Sequence, residues 1–333
     1  MKAMVLNEFR PVEEKPLQLM EAEKPVPGPG EILIRVNFCG VCHTDLHMVE
    51  GELPASSLPR IPGHQVVGQV EQLGEETSLF QKGDRVGVAW LHKSCGRCHF
   101  CRTGRENLCL EARFTGYQVD GGYAEYLVVP EAFAYELPEN FPDEQAAPLL
   151  CAGIIGYRAL RLSRVKSGDK LGLFGFGASA HITIQVARHW NCRVYVFSRS
   201  EKHRQQAIRL GAVWTGRPDE IPPEKLDSAI VFAPVGEVVR SALRVVDRGG
   251  TVAVAGIYLS PIPELDYEKD LYFEKCLKSV ANATRQDGVE FLKIAAEIPV
   301  KTEIKVFPLE EANEALAEVK HSRINGAAVL KIG

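Results

Sequence analysis

No apolar run in this chain is long enough to cross a bilayer, and no basic segment followed by an apolar stretch and a cleavage site opens it. Neither sign of charge dominates. The 43 acidic and 39 basic residues give a formal net charge of -4, which leaves no broad basic field for nucleic acid or anionic lipid. Internal repeats and low-complexity stretches are also absent. These absences make a cytoplasmic chain with a small-molecule partner, no nucleic acid and no membrane the expectation. At 333 residues the chain exceeds the size at which one core keeps growing, so two domains are expected.

What is present is sulfur. Nine cysteines in a chain of this kind point to thiolate ligands and buried thiols rather than disulfides. Cys95, Cys98, Cys101 and Cys109 share one short loop, CGRCHFCRTGRENLC. Four thiolates complete a tetrahedron around zinc and leave no place for a substrate. Cys42, His64 and Cys151 lie far apart in sequence and are proposed as a second, open set. Three ligands leave one position for water or an alcohol oxygen, which points to an enzyme rather than a metal-stabilised scaffold. Read alone, Cys39 and Cys42 form a C-x-x-C that fits a redox pair, but a thioredoxin-type motif belongs inside a βαβ unit and this one precedes that region. A four-cysteine loop also fits a ribbon that contacts nucleic acid, yet its flanks carry no sustained basic stripe.

Pattern divides the chain. Up to about Cys151, short β-type runs such as Glu31 to Phe38, Val66 to Leu73 and Asp84 to Ala89 are broken by Gly and Pro, which predicts a mostly β domain. Between about Gly153 and Val280, strands alternate with amphipathic helices, which predicts a parallel sheet covered on both faces. Its strands are read at Leu171 to Phe174, Arg193 to Phe197, Ala229 to Phe232 and Thr251 to Ala255, with helices at Ala178 to Trp190 and Glu201 to Leu210. The tail from about Arg285 returns to a helix at Leu309 to Val319 and a strand at Ala327 to Ile332, able to pair back with the first domain.

Gly175, Gly177 and Ala180 stand as G-x-G-x-x-A at a strand-to-helix turn, where glycines let a pyrophosphate approach and the helix start offers N–H donors. The second strand lacks the acidic residue that usually reads the ribose of NAD. Ser198 occupies that position and Arg199 follows it, with Lys202, His203 and Arg204 close behind. A carboxylate would repel a 2′-phosphate whereas serine and arginine bind it, so NADP is expected over NAD. The alternative is an ordinary helix start capped by Ser198 or Ser200.

CGVCHTDLH, the GH of PGHQVVGQV, the four-cysteine loop, CAGIIGYRAL and the G-x-G-x-x-A turn occur in the order found in zinc-dependent medium-chain alcohol dehydrogenases. The chain resembles that family throughout its length. The resemblance implies an α/β fold: a GroES-like, mostly β catalytic domain over 1–152 and 285–333, and a Rossmann-type doubly wound parallel sheet over 153–284. It implies two zinc ions per chain, with Cys42, His64 and Cys151 at the catalytic one. It matches Thr44 to the hydroxyl that takes the alcohol proton, His47 to the residue that passes it on, and Asp45 to the carboxylate behind a zinc ligand. His43 and Arg323 match positions near the cofactor phosphates, and Trp90 matches a substrate-pocket wall. Leu53 replaces a large aromatic of several ethanol-active relatives, which suggests a roomier pocket for medium-chain or aromatic alcohols. Gln65 departs from the family's usual Glu. A carboxylate there would oppose ionisation of an alcohol at an already neutralised zinc, so Gln65 either removes that opposition or, by loss of the carboxylate, slows ligand exchange. Other readings are a polyol or sugar dehydrogenase of the same fold, and a non-catalytic zinc and nucleotide-binding redox sensor. Relatives of this kind are usually homodimers or homotetramers.

Overall fold

Two sheets of Val-, Ile- and Leu-rich strands organise the protein, each with its own core. The computed structural model describes residues 1–53, 57–298 and 300–333. It divides into unit 1, formed by Met1–Cys151, Thr284–Ala296 and Thr302–Gly333, and unit 2, formed by Ala152–Ala283 and Glu297–Lys301.

Unit 1 is built on the long strand Glu31–Val41, whose apolar residues Ile32, Ile34 and Val36 repeat with the two-residue period of a pleated strand and are buried. In sheet order the strands are Ile304–Pro308, Ala327–Lys331, Glu31–Val41, Gln65–Leu73, Arg85–Val88 and Ala134–Glu136, with Tyr126–Pro130 also paired to Glu31–Val41. Val66, Val70, Val86, Val88, Leu127 and Val129 join the same buried cluster. The late strand Ala327–Lys331 lies antiparallel on Glu31–Val41, with Ala328 opposite Val41 and Val329 opposite Gly40.

Unit 2 carries a parallel sheet in the order Trp214–Gly216, Arg193–Phe197, Lys170–Phe174, Leu226–Val231, Val246–Val254 and Cys276–Ser279. Numbered along the chain this is 3-2-1-4-5-6, the doubly wound order whose switch point lies between the first and fourth strands. Leu171, Leu173 and Phe174 in one strand and Val194, Val196 and Phe197 in its neighbour are fully buried. Such near-continuous apolar runs are required when helices cover both faces.

Several boundaries differ from the sequence reading. The helix expected over Leu309 to Val319 is a 3-10 turn, Leu309–Glu311, followed by the α-helix Ala312–Lys320. The strands Trp214–Gly216 and Cys276–Ser279 were not anticipated, because each is short and carries no clean alternation. Among the described residues no helix is long and apolar enough to cross a membrane.

Candidate metal and cofactor sites

Cys42 sits at the end of the central strand of unit 1 and caps the helix His43–Val49, so strand and helix together fix its position. His64 immediately precedes the neighbouring strand Gln65–Leu73 and follows Gly63, whose φ of 96° places it in the left-handed region. A Cβ at Gly63 would lie 2.3 Å from the Tyr123 ring and 2.9 Å from the Cys39 sulfur, so only glycine fits before this histidine. Cys151 follows the 3-10 turn Ala147–Leu150, anchored by buried Leu149 and Leu150. The ligand atoms of Cys42, His64 and Cys151 all lie within 4.8 Å of one another.

The donor chemistry fits zinc. A tetrahedral ion with Zn–S near 2.3 Å and Zn–N near 2.0 Å sets an S···N edge of about 3.5 Å. Cys42 Sγ and His64 Nε2 are 3.5 Å apart. Asp45 Oδ1 lies 3.1 Å from His64 Nδ1, and Asp45 Oδ2 accepts from the Cys42 N–H at 3.0 Å. The carboxylate therefore steers both a ligand side chain and a ligand backbone. A hydrogen bond to Cys151, burial and the nearby Asp45 push the Cys42 thiol well up. Burial alone would lower His64, but Asp45 and Cys42 outweigh it and push the imidazole up to about 10. A divalent ion would reverse both tendencies by drawing protons off its ligands.

The loop cluster differs in character. Cys95, Cys98, Cys101 and Cys109 bring four sulfurs within 4.8 Å of one another, with Cys98 to Cys101 at 3.5 Å and Cys95 to Cys101 at 3.9 Å. A zinc–thiolate tetrahedron has an edge of about 3.8 Å. Backbone N–H groups of Arg97 and Cys98 hold the Cys95 thiol down to about 7, while burial pushes Cys109 up to about 11.

Thr44, Asp45 and His47 share the helix His43–Val49 with His43. Thr44 is buried; His43 is exposed at the helix start, yet the protein surrounding it and the neighbouring His47 hold it below the usual imidazole range. His47 Nδ1 lies 2.5 Å from Glu52 Oε2. Glu52 was missed by sequence reasoning, and its signal was an acid five positions after His47 in HTDLHMVEGE. The Leu53 N–H donates to the His47 carbonyl at 2.9 Å, folding this loop back on the helix. Trp90 lies edge-on to His64, ring centroids 4.8 Å apart. Gln65 is buried, its Nε2 has no partner among the described residues, and a Cβ at the facing Gly40 would sit 2.8 Å from its amide oxygen.

In unit 2, Gly175 follows the first strand at a φ of 91°, and a Cβ there would lie 2.9 Å from the Ala233 nitrogen at the end of the fourth strand. Gly177 caps the helix Ala178–His189 and has nothing within 4 Å of a built Cβ, which leaves room for a phosphate. Ala180 is fully buried. Ser198 is buried at the end of the second strand, where its hydroxyl accepts from the Ser200 N–H at 3.3 Å. Ser200 itself caps the helix Glu201–Arg209, as the alternative reading of this segment held. Arg199 and Lys202 are exposed, whereas Arg204 donates to the Ser198 carbonyl at 2.6 Å and pairs with Glu201. Arg204 is thus committed inside the protein rather than free for a phosphate. Arg323 belongs to unit 1 and pairs with Glu318 at 3.7 Å.

Residues 28–139 match the alcohol dehydrogenase GroES-like domain family, and residues 180–297 match the zinc-binding dehydrogenase family. The chain is 45% identical over 337 residues to a probable alcohol dehydrogenase, AdhA, of Mycobacterium tuberculosis, covering 100% of this chain and 97% of the relative. Among solved structures, a cinnamyl alcohol dehydrogenase from Sorghum bicolor superposes with a TM-score of 0.90 at 28% identity, over 99% of this chain and 97% of that one. The structure of CAD from Helicobacter pylori, complexed with NADP(H), gives 0.87 at 26% identity over 99% of each chain. The protein is an alcohol/aldehyde oxidoreductase that works with zinc and a nicotinamide cofactor on a small-molecule substrate. The chain belongs to the zinc-dependent medium-chain alcohol dehydrogenase family.

Proposed function

We propose that the chain carries two zinc ions, prefers NADP over NAD, and interconverts medium-chain or aromatic primary and secondary alcohols with their carbonyl products. The observation that carries this reading is the convergence of two thiols and an imidazole within 4.8 Å, beside one helix that holds Thr44, Asp45 and His47. Cys42, His64 and Cys151 would hold the catalytic ion, and Cys95, Cys98, Cys101 and Cys109 the second.

Bound zinc supplies Lewis acidity to an alcohol or carbonyl oxygen, and bound nicotinamide accepts or donates the hydride. The protein's own residues handle orientation and the proton. Asp45 holds His64 by Nδ1, so Nε2 faces the cluster. Thr44 takes the alcohol proton at its hydroxyl, and His47 passes it toward solvent. A carboxylate only accepts, so Glu52 keeps the hydrogen on His47 Nδ1 and Nε2 in the acceptor form that can take a proton. The Gly175–Ala180 turn binds the pyrophosphate, and Ser198, Arg199 and Lys202 read the 2′-phosphate. We assign His43 and Arg323 to the cofactor phosphates by resemblance alone. Leu53 and Trp90 are assigned to the substrate pocket. Cys276–Ser279 closes one end of the unit 2 sheet with Lys278 and Ser279 exposed, and Tyr267 and Tyr272 nearby in sequence are 68% and 57% exposed. An edge strand of this kind supports a homodimer or homotetramer joined through it.

The test pairs elemental analysis with NADPH and NADH oxidation over a panel of aldehydes from acetaldehyde to cinnamaldehyde. Two zinc ions per chain, higher kcat/KM with NADPH and turnover of the larger aldehydes are expected. A strong NADH preference would remove the reading of Ser198 and Arg199. Full zinc with no turnover would leave a binding protein instead.

A further inference from the structure

The loop that carries the four cysteines joins two short antiparallel strands, Leu91–Lys93 and Arg113–Phe114, with Leu91 opposite Phe114 and Lys93 opposite Arg113. Trp90 immediately precedes the first of them. Its indole meets the His64 imidazole edge-on, centroids 4.8 Å apart at 72°. The same indole stacks on Phe114 at 5.2 Å and 17°, and on Tyr117 at 5.7 Å and 24°. Between those two rings, Thr115 is fully buried; its N–H donates to the Trp90 carbonyl and its hydroxyl to the Ala89 carbonyl, both at 2.9 Å.

The backbone that continues from Thr115 is bound to the residues leading into His64. The N–H groups of Gly121, Gly122 and Tyr123 donate to the carbonyls of Ile61, Gly63 and Pro62 at 2.8, 2.9 and 2.9 Å. A Cβ at Gly116 would lie 2.7 Å from the Gly63 nitrogen, so the two chains touch without a side chain between them. One segment, 113–123, therefore fixes both partners of the edge-on contact, and Cys109 ties the start of that segment to the cysteine cluster.

We infer that Phe114 and Tyr117 are positioning residues that hold Trp90 against His64 and so set substrate selectivity, with the four-cysteine loop as their anchor. This rests on the reading of Trp90 as a pocket wall. An indole stacked on two rings has no free rotamer, whereas loss of one stacking partner lets it swing and changes the space next to His64. Discrimination by a hydrophobic pocket is sensitive to changes as small as one methylene, ~10-fold or more.

The experiment compares Phe114→Leu, Tyr117→Leu, Trp90→Ala and the Phe114→Leu/Trp90→Ala double variant in the zinc-loaded enzyme. The readout is the ratio of kcat/KM for benzyl alcohol to that for ethanol. Fluorescence anisotropy of Trp90 is followed in parallel with Trp190 and Trp214 replaced by Phe. A drop of about tenfold in the ratio for Phe114→Leu, lower anisotropy, and no further drop when Trp90→Ala is added are expected. An unchanged ratio, an equal fall for both alcohols, or additivity in the double variant would overturn the inference. Tyr117→Leu repeats the test if Phe114→Leu does not accumulate as folded protein. If Trp90→Ala leaves the ratio unchanged while Phe114→Leu still lowers anisotropy, the pocket reading of Trp90 fails although the ring contact stands.

Discussion

The two sulfur clusters of unit 1 solve opposite problems. The loop cluster gathers four thiols from one short stretch and would enclose an ion, whose contribution would go to the shape of the loop. The open cluster gathers Cys42, His64 and Cys151 from three separate elements and would leave a bound ion one place for substrate, so it depends on the fold without being needed to close any one loop. A metal site can thus serve the chain or be served by it. Ligand spacing along the sequence separates the two cases.

Variants at each cluster can break this contrast. The largest expected effect is on turnover: His64→Ala should lower kcat/KM by more than about a thousandfold, the scale of lost metal catalysis, with a modest change in melting temperature. A collapse of thermal stability in that variant would place the open cluster with the closed one. Next, Cys101→Ala should lower stability by several kcal/mol, measured by calorimetry, because the remaining thiolates lose their common ion. Graded chelation should sharpen the contrast further, removing activity before melting temperature falls. Thr44→Ala and His47→Gln should each cost about a hundredfold in kcat at intact zinc content, and Glu52→Gln about tenfold, since it acts only through His47. The smallest effect is expected from Gln65→Glu, an isosteric change that keeps the packing over Gly40. Its added negative charge should move the acid limb of the kcat/KM profile to higher pH by about one unit. Coincident profiles would reject the electrostatic role of Gln65.

Legibility followed the same division. Cys95 to Cys109 could be read as a metal loop from spacing alone, because one turn of chain brings all four sulfurs together. Cys42, His64 and Cys151 were readable only through their company, since nothing local ties residue 151 to residue 42. The paired G-x-G turn and the apolar runs LGLF and VYVF announced a parallel sheet, as buried strands must. The 3-10 turn at Leu309–Glu311 and the short strand Cys276–Ser279 were not readable, because neighbouring strands and helices rather than their own residues decide them. Glu52 and the Phe114–Trp90–Tyr117 stack were equally hidden. Their partners meet only after a loop has folded back, and sequence distance carries no trace of that.

The pairing of Ala327–Lys331 with Glu31–Val41 sets an order of events during synthesis. Unit 2 has all its strands by Ser279 and can finish folding while the ribosome is still adding residues. The strand that ends beside Cys42 waits for a neighbour encoded far downstream. If Cys42, His64 and Cys151 take up zinc as proposed, that capture is a late step of maturation, and an early stop codon that deletes that neighbour would be felt at a cysteine specified near the beginning of the message.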